Sequence, residues 1–342
     1  MQDEKKYLII GGGLSGLSLA LHFYENNVAF EILTKEENHS SLIAAGLINP
    51  IVFRRTTKSW EVDALLPYAK AFYKKAEQLL QRKIWNDLII RRSFSHQQEL
   101  DEWQKKKEKP AYSEYLGEIN TPCPENLYQE YGTGMVKNAA WISTKDFVSG
   151  MRNFFFDNKQ LRYIAKEEQE VVTDRERYKG IIYCEGYEMI HNPLFNHLPL
   201  DPTKGQILTV KSDEIPQEES INRKCFVLPT GDHQFRVGAT YEWSDSSLNI
   251  TDEAKELLEN DLNNLIAANY EIVNQQAGVR PTVKDRRPIL GEHPDHKNNY
   301  VFNGLGTKGY LIAPLMAKWL YDFLIDGREI PEEVTINRFY KK

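Results

Sequence analysis

Residues 8 to 23 read LIIGGGLSGLSLALHF, and Gly11, Gly13 and Gly16 stand there at the spacing G-x-G-x-x-G. Tyr7 to Ile10 ahead of them form a short apolar run fit for a buried strand. After them Leu17, Ala20, Leu21 and Tyr24 recur at helical spacing, which predicts a helix from Leu14 to about Asn26. Ala29 to Leu33 then read as a returning strand. A strand that passes through such a turn into a helix aims backbone N–H groups and a positive helix end at one point. Glycine lets a pyrophosphate approach that backbone closely. A secretory segment fits badly: only Lys5-Lys6 precede the run as a pair of cations, and no A-x-A-like site follows it.

A chain of 342 residues suffices for about two domains, and its formal net charge of −6 argues against a general affinity for nucleic acid or an acidic membrane. The three cysteines, Cys123, Cys184 and Cys225, lie far apart without a C-x-x-C pair. Together with the lack of another long apolar run, this predicts a soluble, cytoplasmic protein in a reducing compartment. Helices are expected over Trp60–Gln81, over Gln97–Lys109 and from Thr144 to about Asn158, with an irregular connection between Lys109 and Gly134. Gln206–Lys211, Lys224–Pro229 and Gln234–Glu242 are rich in β-branched and aromatic residues, and Thr230-Gly231-Asp232 marks a hairpin. A helix from Thr251 to about Ala268, a strand at Tyr300–Asn303 and a helix over Tyr310–Ile325 follow. The expected fold class is α/β (α+β overall). A Rossmann-like nucleotide domain in 1–60, 140–200 and 278–342 would accompany a substrate domain on an antiparallel sheet in 61–139 and 201–277.

The type of cofactor turns on both ends of the chain. Where an NAD site places an acid for the ribose, this sequence has Thr34-Lys35, with Glu36 and Glu37 beyond; Lys35 leaves NADP as an alternative. The stretch NGLGTKGYLIAPLMAKWL repeats G-x-G-x-x-G with Gly304, Gly306 and Gly309, and only 33 residues follow. That is too short for another nucleotide domain, so the second turn serves the far end of one long cofactor. FAD needs two such cradles, and a helix start at Tyr310 favours negative charge on a reduced flavin ring.

Four stretches carry a resemblance: LIIGGGLSGLSLAL, LPLDPTKGQILTV, CFVLPTGDHQFRVGATYE, and AGVRPTVKDRRPILG with NGLGTKGYLIAPLMA. In order, they resemble the D-amino-acid-oxidase/glycine-oxidase family of flavoenzymes. The resemblance implies a two-domain fold, tightly held FAD and oxidation of a C–N bond. It implies cofactor contacts at Gly11, Gly13, Leu14, Ser15, Gly16, Thr34, Lys35, Ser41, Ala45, Gly46, Leu47, Val171, Cys184, Gly186, Gly304, Gly306, Thr307, Lys308 and Gly309. Two positions depart from the family pattern: Thr34 for the ribose acid, and Glu185 within Cys184-Glu185-Gly186 where A-T-G is usual. No cysteine lies near the C-terminal turn, so the FAD is expected to be non-covalent.

Arg280 in GVRP is the candidate anchor for a substrate carboxylate, since a guanidinium offers two parallel hydrogen bonds. The resemblance agrees, and a structural ion pair is the rival reading. Lys308 and Tyr241 are further substrate-side candidates; no residue stands out as a catalytic acid or base, which hydride transfer does not require. His293 and His296 lack further ligands, so no metal is expected. Arg54, Arg55 and Lys58, beside Phe53 and Trp60, form either a solvated basic loop or a contact for a large anion such as RNA. The C-terminal GLGTKGYLIAPL also resembles the oxidase half of a bifunctional tRNA wobble-uridine-modifying enzyme. The expected activity is therefore FAD-dependent oxidation of a carboxylate-bearing amine or amino acid to an imine that water hydrolyses. The same chemistry on a carboxymethylaminomethyl-modified tRNA wobble uridine is one alternative, and a non-catalytic flavin-binding protein acting in a complex is the other.

Overall fold

The computed structural model describes residues 5–37, 39–164 and 175–340. Two large sheets organise it. The first has six strands in the order Ile289–Glu292, Asn299–Asn303, Tyr178–Tyr183, Lys6–Ile10, Phe30–Lys35 and Leu161–Ile164; all neighbours are parallel except the first pair. Lys6–Ile10 lies near its middle, and its Leu8 and Ile9 are fully buried, as a strand covered on both faces requires. Helices Leu14–Glu25, Val62–Leu80, Thr144–Asp157 and Gly309–Asp326 join their apolar faces to this sheet in the largest core cluster.

The second sheet has nine strands and is antiparallel except where Ser220–Asn222 runs beside Trp85–Ser93. Its hairpin Phe226–Gly231/Gln234–Gly238 turns through Asp232 and His233, both at positive φ, which suits a tight two-residue turn. Glu271–Val283 is an edge strand, so Pro281 is accommodated without an inner-ladder donor being lost.

Several expectations need correction. Trp85–Ser93 and Thr133–Ile142 are long paired strands, and Leu116–Ile119 is another within the stretch expected to be irregular. Their pattern is hidden by buried charge. Arg91 donates to Glu219 at 2.5 Å and Arg92 to Glu99 at 2.7 Å, so both sit inside, where apolar residues are usual. Across the division expected at residue 61, Val62–Leu80 lies against Gly309–Asp326. The helix expected to reach Ala268 ends at Asn263.

Candidate functional site

The carboxyl ends of Lys6–Ile10, Phe30–Lys35 and Tyr178–Tyr183 open onto one cavity of about 740 Å³. A crevice at this end of a parallel sheet is where open α/β folds bind ligands. Gly11 has φ +108°, and a Cβ there would run into the Cys184 carbonyl. A Cβ at Gly16 would meet the Gly11 carbonyl, so this glycine lets helix and strand close on each other. Gly13 heads helix Leu14–Glu25 at φ −89° without a side-chain cap. The turn therefore leaves the helix start to a ligand.

Both glycine turns line the same cavity. Gly306, Thr307, Lys308 and Gly309 form its other wall, and a Cβ at Gly309 would approach Leu14. Gly306 has φ +58°, and the turn Gly306–Lys308 leads into helix Gly309–Asp326, again without a side-chain cap. Two uncapped helix starts thus face one space, which fits a cofactor with a pyrophosphate and an electron-accepting ring. Gly16 and Gly304 are not on its wall: Gly304, at φ +75°, packs against Val283. Val171 lies outside the described residues.

The other expected cofactor residues line the cavity, and their neighbours hold them in place. Ser41 Oγ accepts from Leu14 N at 3.0 Å, and the Ser41 carbonyl accepts from Tyr310 at 2.6 Å. Arg236 donates to the Ala44 carbonyl at 2.6 Å and Trp141 to that of Ala45 at 3.1 Å. Gly46, at φ +77°, passes close to the Ile142 carbonyl ahead of Leu47. Cys184 is a buried thiol, pushed well above its ordinary pKa by desolvation. Gly186 takes φ +58°. Thr34 is buried with its hydroxyl donating to the Lys35 carbonyl at 3.1 Å.

Sequence reasoning missed Arg152. It donates to the Gly12 carbonyl at 2.8 Å, the Glu36 carbonyl at 2.8 Å and Thr34 Oγ1 at 3.2 Å. One buried guanidinium therefore ties the first glycine turn to the end of the second strand. The available signal was its place beside Met151 on the buried face of an amphipathic helix. Glu185 was noticed only as a departure; it lines the cavity, accepts from Asn192 at 2.7 Å, and burial raises its pKa. The acids on the wall, Glu36, Glu37, Glu185 and Glu188, all follow the strands Phe30–Lys35 and Tyr178–Tyr183.

The opposite end is cationic and aromatic. Arg280 is held by the Lys204 carbonyl and the Thr240 carbonyl, each at 3.3 Å, and lies 4.5 Å over the Tyr241 ring. A Cβ at Gly205 would strike this guanidinium, so Gly205 makes its space. Desolvation lowers the Arg280 pKa, and no carboxylate pairs with it among the described residues. Tyr241 lines the cavity, in a turn beyond the strand that ends at Gly238 and not on that strand. Lys308 turns its ammonium away from solvent: it donates to the Asn49 carbonyl at 2.8 Å and to Ser59. Burial takes its pKa down to about 8. Lys58 pairs with Asp63, while Arg54 and Arg55 are exposed.

Comparison with known proteins agrees with this geometry. The model of the FAD dependent oxidoreductase family, DAO, matches residues 6–323. The MnmC bifunctional protein of tRNA 5-methylaminomethyl-2-thiouridine biosynthesis from Legionella pneumophila is 25% identical over all of this chain, which spans 58% of that protein. Glycine oxidase from Bacillus subtilis is 29% identical over 37% of the chain and 39% of its own length. Among solved structures, glycine oxidase from Geobacillus kaustophilus superposes with TM-score 0.80 at 18% identity, over 95% of each chain. Iminodiacetate oxidase from Chelativorans sp. BNC1 gives 0.78 at 18%, over 96% of this chain and 99% of that one. With two glycine turns facing one cavity and a family match over nearly its whole length, the chain belongs to the FAD-dependent oxidoreductases of the DAO family, and FAD is its cofactor.

Proposed function

We propose that this enzyme oxidises the C–N bond of a small amine or amino acid that carries a carboxylate, giving an imine that water hydrolyses. The observation that carries the reading is Arg280: a desolvated guanidinium on the cavity wall with no acidic partner among the described residues. A cation so placed is costly unless a ligand completes it, and a carboxylate matches its fork of donors. Bound FAD would supply the two-electron acceptor. Gly11, Gly13, Leu14 and Ser15 would hold its pyrophosphate non-covalently, with Thr34 and Lys35 toward the ribose and Ser41 to Leu47 along the ring side. Gly306 to Gly309 would face the flavin. Arg280 then orients the substrate, and the cation-rich end of the cavity favours the neutral amine that oxidation needs.

The test is anaerobic titration of the yellow protein with paired amines, each an acid and its amide. Bleaching by the acids at concentrations where the amides leave the absorbance unchanged supports the proposal. Equal bleaching by acids and amides overturns the anchoring role.

A second reading puts the same chemistry on a modified uridine of tRNA. It is favoured by the MnmC relative, which aligns over all of this chain, and by the exposed Arg54 and Arg55. Unmodified and carboxymethylaminomethyl-bearing tRNA belong in the same titration; bleaching by the modified tRNA alone selects this reading.

A further inference from the structure

Where the second strand of a dinucleotide fold ends, an acid for the cofactor ribose is usual, and this chain has Thr34. The Thr34 hydroxyl is already engaged. It donates to the Lys35 carbonyl at 3.1 Å and accepts from Arg152 at 3.2 Å. Glu36 and Glu37, the next residues, are exposed. Of the remaining acids on the cavity wall, Glu188 is engaged by the Tyr187 hydroxyl. That leaves Glu185.

Glu185 follows strand Tyr178–Tyr183, on the opposite side of Lys6–Ile10 from Phe30–Lys35. The Cys184 carbonyl just before it lies against Gly11, which puts Glu185 beside the first glycine turn. Lys35 is near enough for its charge to favour the ionised carboxylate. Asn192 donates to one carboxylate oxygen at 2.7 Å and is itself fixed by Leu194 N at 2.9 Å. The other oxygen has no hydrogen-bond partner among the described residues. Burial raises the Glu185 pKa, as it does for a carboxylate short of donors.

We propose that Glu185 has taken over the work of the missing ribose acid, accepting the hydroxyls of the adenosine half of FAD from the neighbouring strand end. The requirement is chemical. A vicinal diol presents two O–H donors, and an ionised carboxylate is the side chain that accepts without donating. Asn192 holds this carboxylate in one orientation before any ligand arrives, and a hydrogen bond to it is charge-assisted. The residue then decides between cofactors: FAD carries the diol of an adenosine, and FMN does not.

The test strips flavin from the purified protein and reads rebinding by flavin fluorescence, so it needs no substrate. The ligands are FAD, its analogue with 2′,3′-dideoxyribose in the adenosine half, and FMN. Glu185→Gln keeps the shape and the bond from Asn192. It should raise the Kd of FAD about 10- to 100-fold, the range of a lost hydrogen bond to a charged group. The Kd values of the dideoxy analogue and of FMN should move far less. Glu185→Thr, which places the usual residue of the family pattern there, should repeat this selectivity and guards against one variant that fails to fold. The Tm of each FAD-free variant checks its integrity, and Glu36→Gln should bind all three ligands as the wild type does. Equal losses for FAD and the dideoxy analogue overturn the proposal. So does an FAD Kd unchanged in both Glu185 variants, or an FAD-selective loss in Glu36→Gln.

Discussion

The glycines of the first turn separate two jobs that one motif combines. Gly13 adopts a backbone open to any residue, so in the proposed reading its glycine would make room for the incoming pyrophosphate. Gly13→Val should leave Tm within a few degrees of the wild type and remove FAD, measured by the yellow absorbance per mole of protein. Gly16 faces the Gly11 carbonyl within the protein, so Gly16→Ala should lower stability itself, read as the urea midpoint of the FAD-free protein. Both positions were legible from the motif, whereas their division of labour needed coordinates. Arg152 was not legible, because its three acceptors come from two turns far away in sequence. Arg280 was legible as a candidate, but its lack of an acidic partner among the described residues was not. If it holds a carboxylate, Arg280→Lys loses the planar fork. The cost of breaking a buried charged pair, about 2–4 kcal/mol, corresponds to roughly 30- to 1000-fold in kcat/KM. FAD content should stay normal and the amide of the same substrate should be little affected; equal losses for acid and amide would mark a structural role.

At the scale of elements, helices Leu14–Glu25, Val62–Leu80 and Gly309–Asp326 meet around a proline. Pro314 has no N–H for the Tyr310 carbonyl one turn back, and the buried Tyr73 hydroxyl supplies that bond at 2.9 Å. Tyr73→Phe should therefore cost about 1–3 kcal/mol, the penalty of an orphaned buried carbonyl, seen as a lower urea midpoint with unchanged slope. His22 donates to the Pro314 carbonyl at 3.4 Å, amid Tyr68, Phe72 and Tyr321. Desolvation by these helices is the main cause that takes its pKa down to about 4. The unfolded chain binds this proton first, so as pH falls from about 6.5 to 4 the native state loses up to roughly 3 kcal/mol through His22. His22→Gln removes that titration, and its stability relative to the wild type should improve steadily across this window. A constant difference from pH 7 to 4 would show that His22 is not the group responsible. The strong helices were visible in the sequence because one apolar stripe served one contact. The Trp85–Ser93 strand was not, because Arg91 and Arg92 are inside and their partners Glu219 and Glu99 lie on other elements.

For the whole molecule, the order of α/β texture, antiparallel block and α/β texture foretold two sheets, since the final strands return beside Tyr178–Tyr183 in the parallel one. The sequence could not reveal how closely the parts interlock. Leu47–Ile48 crosses into the nine-stranded sheet, while Ser40 Oγ donates to the Val279 carbonyl at 2.6 Å. Such links are long-range hydrogen bonds without a local signature. They mean that the cavity is walled by both sheets: Ile10, Leu33 and Cys184 from one meet Ile207, Phe226 and Val279 from the other. A ligand filling it must hold both sheets together, and it can do so only in the folded state. At a free FAD concentration 100 times its Kd, linkage adds about 2.7 kcal/mol, which for a chain of this size is an upward shift of a few degrees in Tm. Denaturing the holoprotein should release all of the yellow chromophore with the mass of FAD, and the apoprotein should melt lower by any probe. Because the walls belong to both sheets, fluorescence of Trp319, in the helix packed on the six-stranded sheet, and of Trp141, in the nine-stranded one, each followed in a variant lacking the other tryptophans, should rise in Tm by the same amount. A shift confined to one reporter would mean that the cofactor stabilises one sheet alone and that the two unfold separately.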